Sequence, residues 1–157
     1  MVITFLSDYG AGDEFVGTCH AVIAGIAPEA RVIDLAHGVP RHDVVAGAHV
    51  LARALRYAPA GVHLAVVDPE VGGRRRAVAL RCAAEDRVLV GPDNGLLWPA
   101  AQAFGGVVEA VEIGRSPHRL EPVAATFHGR DVFRPSPRTS RPARPSAARV
   151  SPSSPPS

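Results

Sequence analysis

Residues 62–67 read Val-His-Leu-Ala-Val-Val, and residues 68–72 that follow read Asp-Pro-Glu-Val-Gly. A strand with one wet face alternates apolar and polar residues, whereas a nearly unbroken apolar run marks a strand covered on both faces. That is the usual state of a central strand in a parallel sheet. The acid and proline then turn the chain into a loop. Ligands of open parallel sheets lie beyond the carboxyl ends of the strands, so Asp68 is the first candidate functional residue.

Upstream, Val2 to Ser7 is a second short apolar run, ended by Asp-Tyr-Gly. Asp13 to Ala27 has helical spacing, with Phe15, Cys19, Val22, Ile23 and Ile26 on one face and Pro28 closing it. Arg31 to Leu35 reads as a strand. His42 to Tyr57 reads as a helix in which Val45, His49, Ala52 and Leu55 recur at helical intervals. Asp43, next to its start, suits the positive end of the helix dipole.

Downstream, Arg76 to Cys82 and Arg87 to Gly91 read as strands around a turn at Ala84-Glu85-Asp86. Gly95 to Phe104 reads as a short helix interrupted by Pro99, with Trp98 expected in the core rather than as a stacking platform, and Val107 to Ile113 as a strand. Early alternation of strand and helix, then crowded strands, predicts an α/β fold with a mainly parallel sheet flanked by helices. Strand order stays open at this point.

The length of 157 residues suits one domain with a real core. The net charge of +2 misleads, because Arg134 to Ser157 holds five arginines and no acid. The first 133 residues carry 12 arginines against 15 acids, a net −3. Such a body offers no basic face for nucleic acid. The two cysteines, Cys19 and Cys82, lack metal-ligand spacing and read as buried thiols. No apolar run is long enough to span a bilayer, and the N-terminus lacks the basic region of a signal peptide, so no membrane association and a cytoplasmic location are expected.

The polar residues fall where a ligand would. Asp8 follows the first strand, His37 the second, Asp68 the third, and Asp93-Asn94 the strand ending at Gly91. The surrounding segments are SDYG (Ser7 to Gly10), VVDPEVG (Val66 to Gly72) with Arg75 after it, GPDNGL (Gly91 to Leu96) and TFHGRDVF (Thr126 to Phe133). Each is weak alone, but the four in order are specific. Together they resemble the signatures of the S-adenosylmethionine (SAM) hydroxide adenosyltransferases, relatives of the SAM-dependent fluorinase and chlorinase.

That resemblance implies hydrolysis of SAM to adenosine and L-methionine, with SAM as substrate, no cofactor and no metal. Water or hydroxide attacks the ribose C5′, and sulfur leaves as a neutral thioether. The family's Asp–Arg–His set falls on Asp68, Arg75 and His128. An arginine, always protonated, can stabilise developing hydroxide; a carboxylate can hold the guanidinium; a histidine can take or relay the proton near neutral pH. Asp8 falls on the ribose-binding acid, and Asp68 also touches the nucleoside. His37 and Asn94 line the pocket at most. The family further implies a homotrimer with shared sites and a second, β-rich domain.

Plainer readings exist for each residue. Asp8 before Gly10 can shape a turn, Arg75 sits in the charge run Arg74-Arg75-Arg76, and His128 can cap a loop. His20, His49 and His63 lie within elements and read as structural, and nothing distinguishes His118. The sequence also departs from the family pattern at Glu70, where glycine is usual. A positive φ there costs a residue with a Cβ about 1 kcal/mol or more.

The expected organisation is a SAM hydrolase N-terminal domain over residues 1–133 and an Arg/Pro/Ser-rich disordered tail over 134–157. That tail holds seven prolines, seven serines and five arginines, too little apolar surface to offset its ordering entropy. It leaves no room for the β-rich domain. Either the tail is genuine, or the reading frame slips near Arg134; retranslated in the slipped frame, the stretch from Ser136 permits an amphipathic helix start. Three other functions compete with a SAM hydrolase: an inactive nucleoside-binding fragment, a SAM-dependent halogenase, and a metallophosphoesterase. The last is disfavoured because no two candidate ligands are paired at metal-ligand spacing.

Overall fold

The computed structural model describes residues 1–114. His128, the TFHGRDVF segment and the tail lie outside them. The elements run β1 (Val2–Ser7), α1 (Phe15–Ile26), β2 (Arg31–Ala36), α2 (Val44–Ala54), β3 (Val62–Val66), β4 (Ala77–Cys82), β5 (Val88–Pro92), α3 (Trp98–Ala103) and β6 (Val107–Glu112). The strands form one sheet in the order β2-β1-β3-β5-β4-β6. The first four are parallel, while β4 runs antiparallel to both of its neighbours.

The apolar run that ends at Val67 does form an inner strand, with every residue of β3 buried. Alternate side chains feed two cores. Val62, Leu64 and Val66 pack with Ile3, Phe5 and the α1 residues Cys19 and Ile23. Ala65 and Val67 pack on the other face with Leu6, Ala48 and Leu51 of α2, and Ala100 and Ala101 of α3. The chain passes from β1 outward to β2, then back across β1 to β3. Right-handed crossovers in opposite directions put their helices on opposite faces, which is where α1 and α2 lie.

Three sequence readings are corrected. The buried face of α2 is Gly47, Ala48 and Leu51, continued by Leu55, whereas Val45 is 67% exposed and His49 is exposed. The stripe from Val45 is also helical in spacing, and the alanines and glycine of the true face gave it no contrast. Close approach explains the glycine: a Cβ at Gly47 would stand 2.9 Å from Val67 Cγ2. Pro99 does not interrupt α3 but lies in its first turn, where a missing N–H costs nothing. Trp98 is 58% exposed, not core.

A polar group is buried within the sheet. His63 Nδ1 lies 2.9 Å from Thr4 Oγ1, and its Nε2 lies 3.1 Å from Arg87 Nη1. Arg87 donates further to Ala58 O, Pro59 O and Glu85 Oε2, and its guanidinium stacks 4.3 Å from the Phe104 ring centre. Since arginine can only donate, His63 Nε2 is the acceptor and Nδ1 carries the proton. Burial, reinforced by the Arg87 charge, pushes His63 down to about 4.

Candidate functional site

The sheet changes direction at β1, which has β2 on one side and β3 on the other. Such a switch point opens a crevice at the carboxyl ends of the strands. Asp8 prolongs β1 at this point, its N–H donating to Val66 O at 3.3 Å, and Asp68 leaves β3 two residues beyond Val66. The two acids singled out in the sequence therefore leave neighbouring strands at the crevice.

Asp68 is locked. Its Oδ2 accepts from Arg75 Nε at 2.7 Å and also from Arg75 Nη2, while Oδ1 accepts from Glu70 N at 3.1 Å. Only 3% of the Asp68 side chain and 5% of the Arg75 side chain are exposed, so the reading of Arg75 as part of a solvated run fails. That reading does fit Arg76, which is 64% exposed and pairs with Asp93 Oδ2 through Nε and Nη2 at 3.0 and 2.6 Å. A buried ion pair gains little over an apolar pair, yet losing one partner costs about 3–5 kcal/mol. It is weak evidence for stability.

The loop carrying Asp68 is unstrained at Glu70. Among the described non-glycine residues positive φ occurs only at His42, Glu85 and Asp86, and in this loop it falls on Gly72, at 79°. The departure from the family pattern therefore carries no positive-φ penalty at Glu70. Asn94 Nδ2 donates to Val67 O at 2.9 Å and its Oδ1 accepts from Leu96 N at 3.1 Å. The Asn94 amide thus clips the loop after β5 to the residue preceding Asp68.

Around Asp8 the contacts are less expected. Asp8 Oδ2 accepts from His42 N at 2.7 Å, and His42 takes φ 64°. That left-handed conformation is rare outside glycine and often sits at functional sites. His37 Nδ1 lies 2.7 Å from Ser7 Oγ, and the His37 carbonyl accepts from Gly10 N at 2.7 Å. His37 Nε2 and His20 Nε2 each lie 2.9 Å from Asp34 Oδ1, the His37 contact being an ion-pair approach without the geometry of a directed hydrogen bond. Partial burial pushes Asp34 up, but the close approach of His37 and the hydrogen bond and charge of His20 outweigh it and hold the carboxyl below its ordinary value.

The sequence reading missed His42, Ser7, Asp34 and His20. One signal was present: Asp34 is the lone acid inside an apolar strand, which asks for a partner. Nothing in composition marks a backbone amide such as that of His42. Among the described residues no three His, Cys, Asp or Glu side chains could jointly hold a metal ion. Nor is any described helix long and apolar enough to cross a membrane.

A doubly wound sheet whose switch point presents two acids, one fixed to a buried arginine, is an α/β domain with a candidate ligand site beyond the carboxyl ends of its strands. The chain belongs to the SAM hydroxide adenosyltransferase N-terminal domain family, whose model matches residues 3–141. It is 58% identical over 133 residues to an (R)-S-adenosyl-L-methionine hydrolase of Salinispora tropica, covering 85% of this chain and 50% of the relative. A fluorinase of Nocardia brasiliensis is more distant, 26% identical over 153 residues, covering 83% of this chain and 51% of the relative. The crystal structure of an uncharacterized conserved protein from Thermotoga maritima superposes with a TM-score of 0.77 at 39% identity, covering 83% of this chain and 50% of that one. The chain spans about half the length of the curated relatives it matches.

Proposed function

We propose that the protein hydrolyses (R)-S-adenosyl-L-methionine to adenosine and L-methionine, the sulfonium configuration being carried over from the relatives' name. The buried Asp68–Arg75 pair at the switch point is the observation that carries this reading. A water oxygen forms a bond to C5′ as the C5′–S bond breaks. The bonding electrons go to sulfur, which leaves as the neutral thioether of methionine, and the water proton passes to a base. Arg75 stabilises hydroxide character, Asp68 fixes the guanidinium, and His128 accepts or relays the proton. Asp8 holds the ribose diol, a use to which dinucleotide sites also put a carboxylate. Held in line with the C–S bond, the water needs little further reorganisation. A homotrimer with shared sites belongs to the same reading, and sedimentation tests it.

The test joins residues 1–133 to the remaining half of the Salinispora tropica relative and measures adenosine release from SAM, without added metal. Asp68→Ala, Arg75→Ala and His128→Ala should each slow release by about a hundredfold or more. Release that survives Asp68→Ala unchanged, or that a chelator abolishes, would overturn the reading. Nucleoside binding without release in the unaltered chimera would favour a binding domain instead.

A further inference from the structure

Asp8 is bracketed by Ser7 and Gly10, and both are tied to His37, Ser7 through its side chain and Gly10 through its amide. Ser7 Oγ already accepts from Tyr9 N at 3.3 Å, so its own proton must go elsewhere. The acceptor within reach is His37 Nδ1, at 2.7 Å. A neutral imidazole that accepts at Nδ1 carries its proton on Nε2, and Nε2 is the nitrogen beside Asp34 Oδ1. His20 of α1 approaches the same oxygen at 2.9 Å. The Phe5 ring meets the imidazole edge to face with centres 4.7 Å apart, which limits its rotation. With its proton on Nε2, His37 accepts from Ser7 and turns Nε2 to the Asp34 carboxylate as a charge contact, not a directed hydrogen bond.

We propose that His37 is a positioning residue for the ribose-binding loop. It fixes Asp8 through Ser7 and Gly10, with the Asp34 carboxylate beside its Nε2, and it does not itself touch the nucleoside. The inference rests on the reading of Asp8 as the ligand of the ribose diol. It follows that a change at His37 should weaken recognition of the diol and leave the rest of the nucleoside site alone.

The experiment measures binding of adenosine and of 2′,3′-dideoxyadenosine to this chain by titration calorimetry or ligand-observed NMR. Hydrogen bonds from the two hydroxyls to a carboxylate should give the unaltered chain a preference for adenosine of about 10- to 100-fold. His37→Asn keeps an acceptor near the place of Nδ1 and should retain most of that preference. His37→Gln puts its polar atoms nearer Nε2, loses the Ser7 link, and should bring the preference to within about threefold of unity. Affinity for dideoxyadenosine should not change in either variant, which a general loss of structure could not produce. Ser7→Ala cuts the same link from β1 and gives an independent reading. An unaltered chain without a diol preference overturns Asp8 as the ligand and this inference with it. A preference that survives both His37→Gln and Ser7→Ala overturns the role of His37 alone.

Discussion

His63 makes stability depend on pH in a window where few other groups act. It is fully buried, donates to Thr4 and accepts from Arg87, and titrates at about 4 against an ordinary 6.5. The unfolded chain therefore binds a proton between these values that the folded chain refuses, so stability is complete above pH 6.5 and falls as pH drops toward 4. Each pH unit crossed between the two values removes about 1.4 kcal/mol, so the loss is about 2 kcal/mol by pH 5 and about 3 kcal/mol by pH 4. That is a large part of an ordinary domain's stability. Asp34 adds nothing in the upper part of this range: its lowered carboxyl loses its contribution only as pH falls below the ordinary aspartate value of 3.8.

Urea unfolding at pH 7, 6 and 5, for the chain and for His63→Gln, isolates the effect, because the other titrating groups cancel in the difference. The variant should be less stable at pH 7, and the gap should narrow by about 2 kcal/mol at pH 5. Parallel curves for the two proteins would refute the reasoning. A His63 ring resonance titrating near pH 6.5 in the native state would refute it as well.

Gly91→Ala should destabilise the protein by about 2–3 kcal/mol or prevent folding, since its Cβ would stand 2.4 Å from Ala65 O, a backbone atom of β3; a change in urea midpoint reports this. Asp43→Ala should cost about 1 kcal/mol, because Asp43 Oδ1 caps α2 by accepting from Ala46 N at 2.9 Å; thermal unfolding gives the value. Among the described residues β6 is an edge strand with Val108 and Val111 63% and 46% exposed, so this chain should associate, and Val108→Lys should raise the monodisperse fraction in size-exclusion chromatography. Chloride should yield no chlorinated nucleoside from the active chimera, as read by mass spectrometry of the products.

The legible part of the fold was the part written in contrast. Val62 to Val67 against Asp68-Pro, or Val2 to Ser7 against Asp-Tyr-Gly, changes from apolar to polar in one step, and both strands appear within a residue of their expected ends. The helix from Val44 to Ala54 was located correctly but turned wrongly, because Gly47 and Ala48 carry too little side chain to mark a face. Asp8, Asp68 and Asn94 were legible by position after strands. The Asp68–Arg75 pair was proposed by resemblance, and only geometry distinguishes Arg75 from its neighbours in the charge run, by burial. Of the Ser7–His37–Asp34–His20 series, His37 was legible by its place after a strand and Ser7 only as part of SDYG, but their connection was not. It joins two strand ends and a helix, and neither spacing nor composition records the register that brings them together.

That same geometry bears on which nucleophile the proposed reaction uses. A halide needs free donors and an absence of negative charge. Here Nε and Nη2 of Arg75 are both given to one carboxylate oxygen, and the carboxylate itself would face the anion. At contact distance two like charges near a protein surface repel by about 4 kcal/mol at an effective dielectric of about 20, and burial strengthens rather than weakens this. Arg75 offsets part of that repulsion, but its Nε and Nη2 are already turned to the carboxylate. Water suffers no such repulsion as it approaches, acquires charge only as it loses its proton, and does so beside a guanidinium held in one orientation. In the proposed reaction the pair would therefore act mainly on the transition state, where stabilisation raises the rate instead of merely tightening binding.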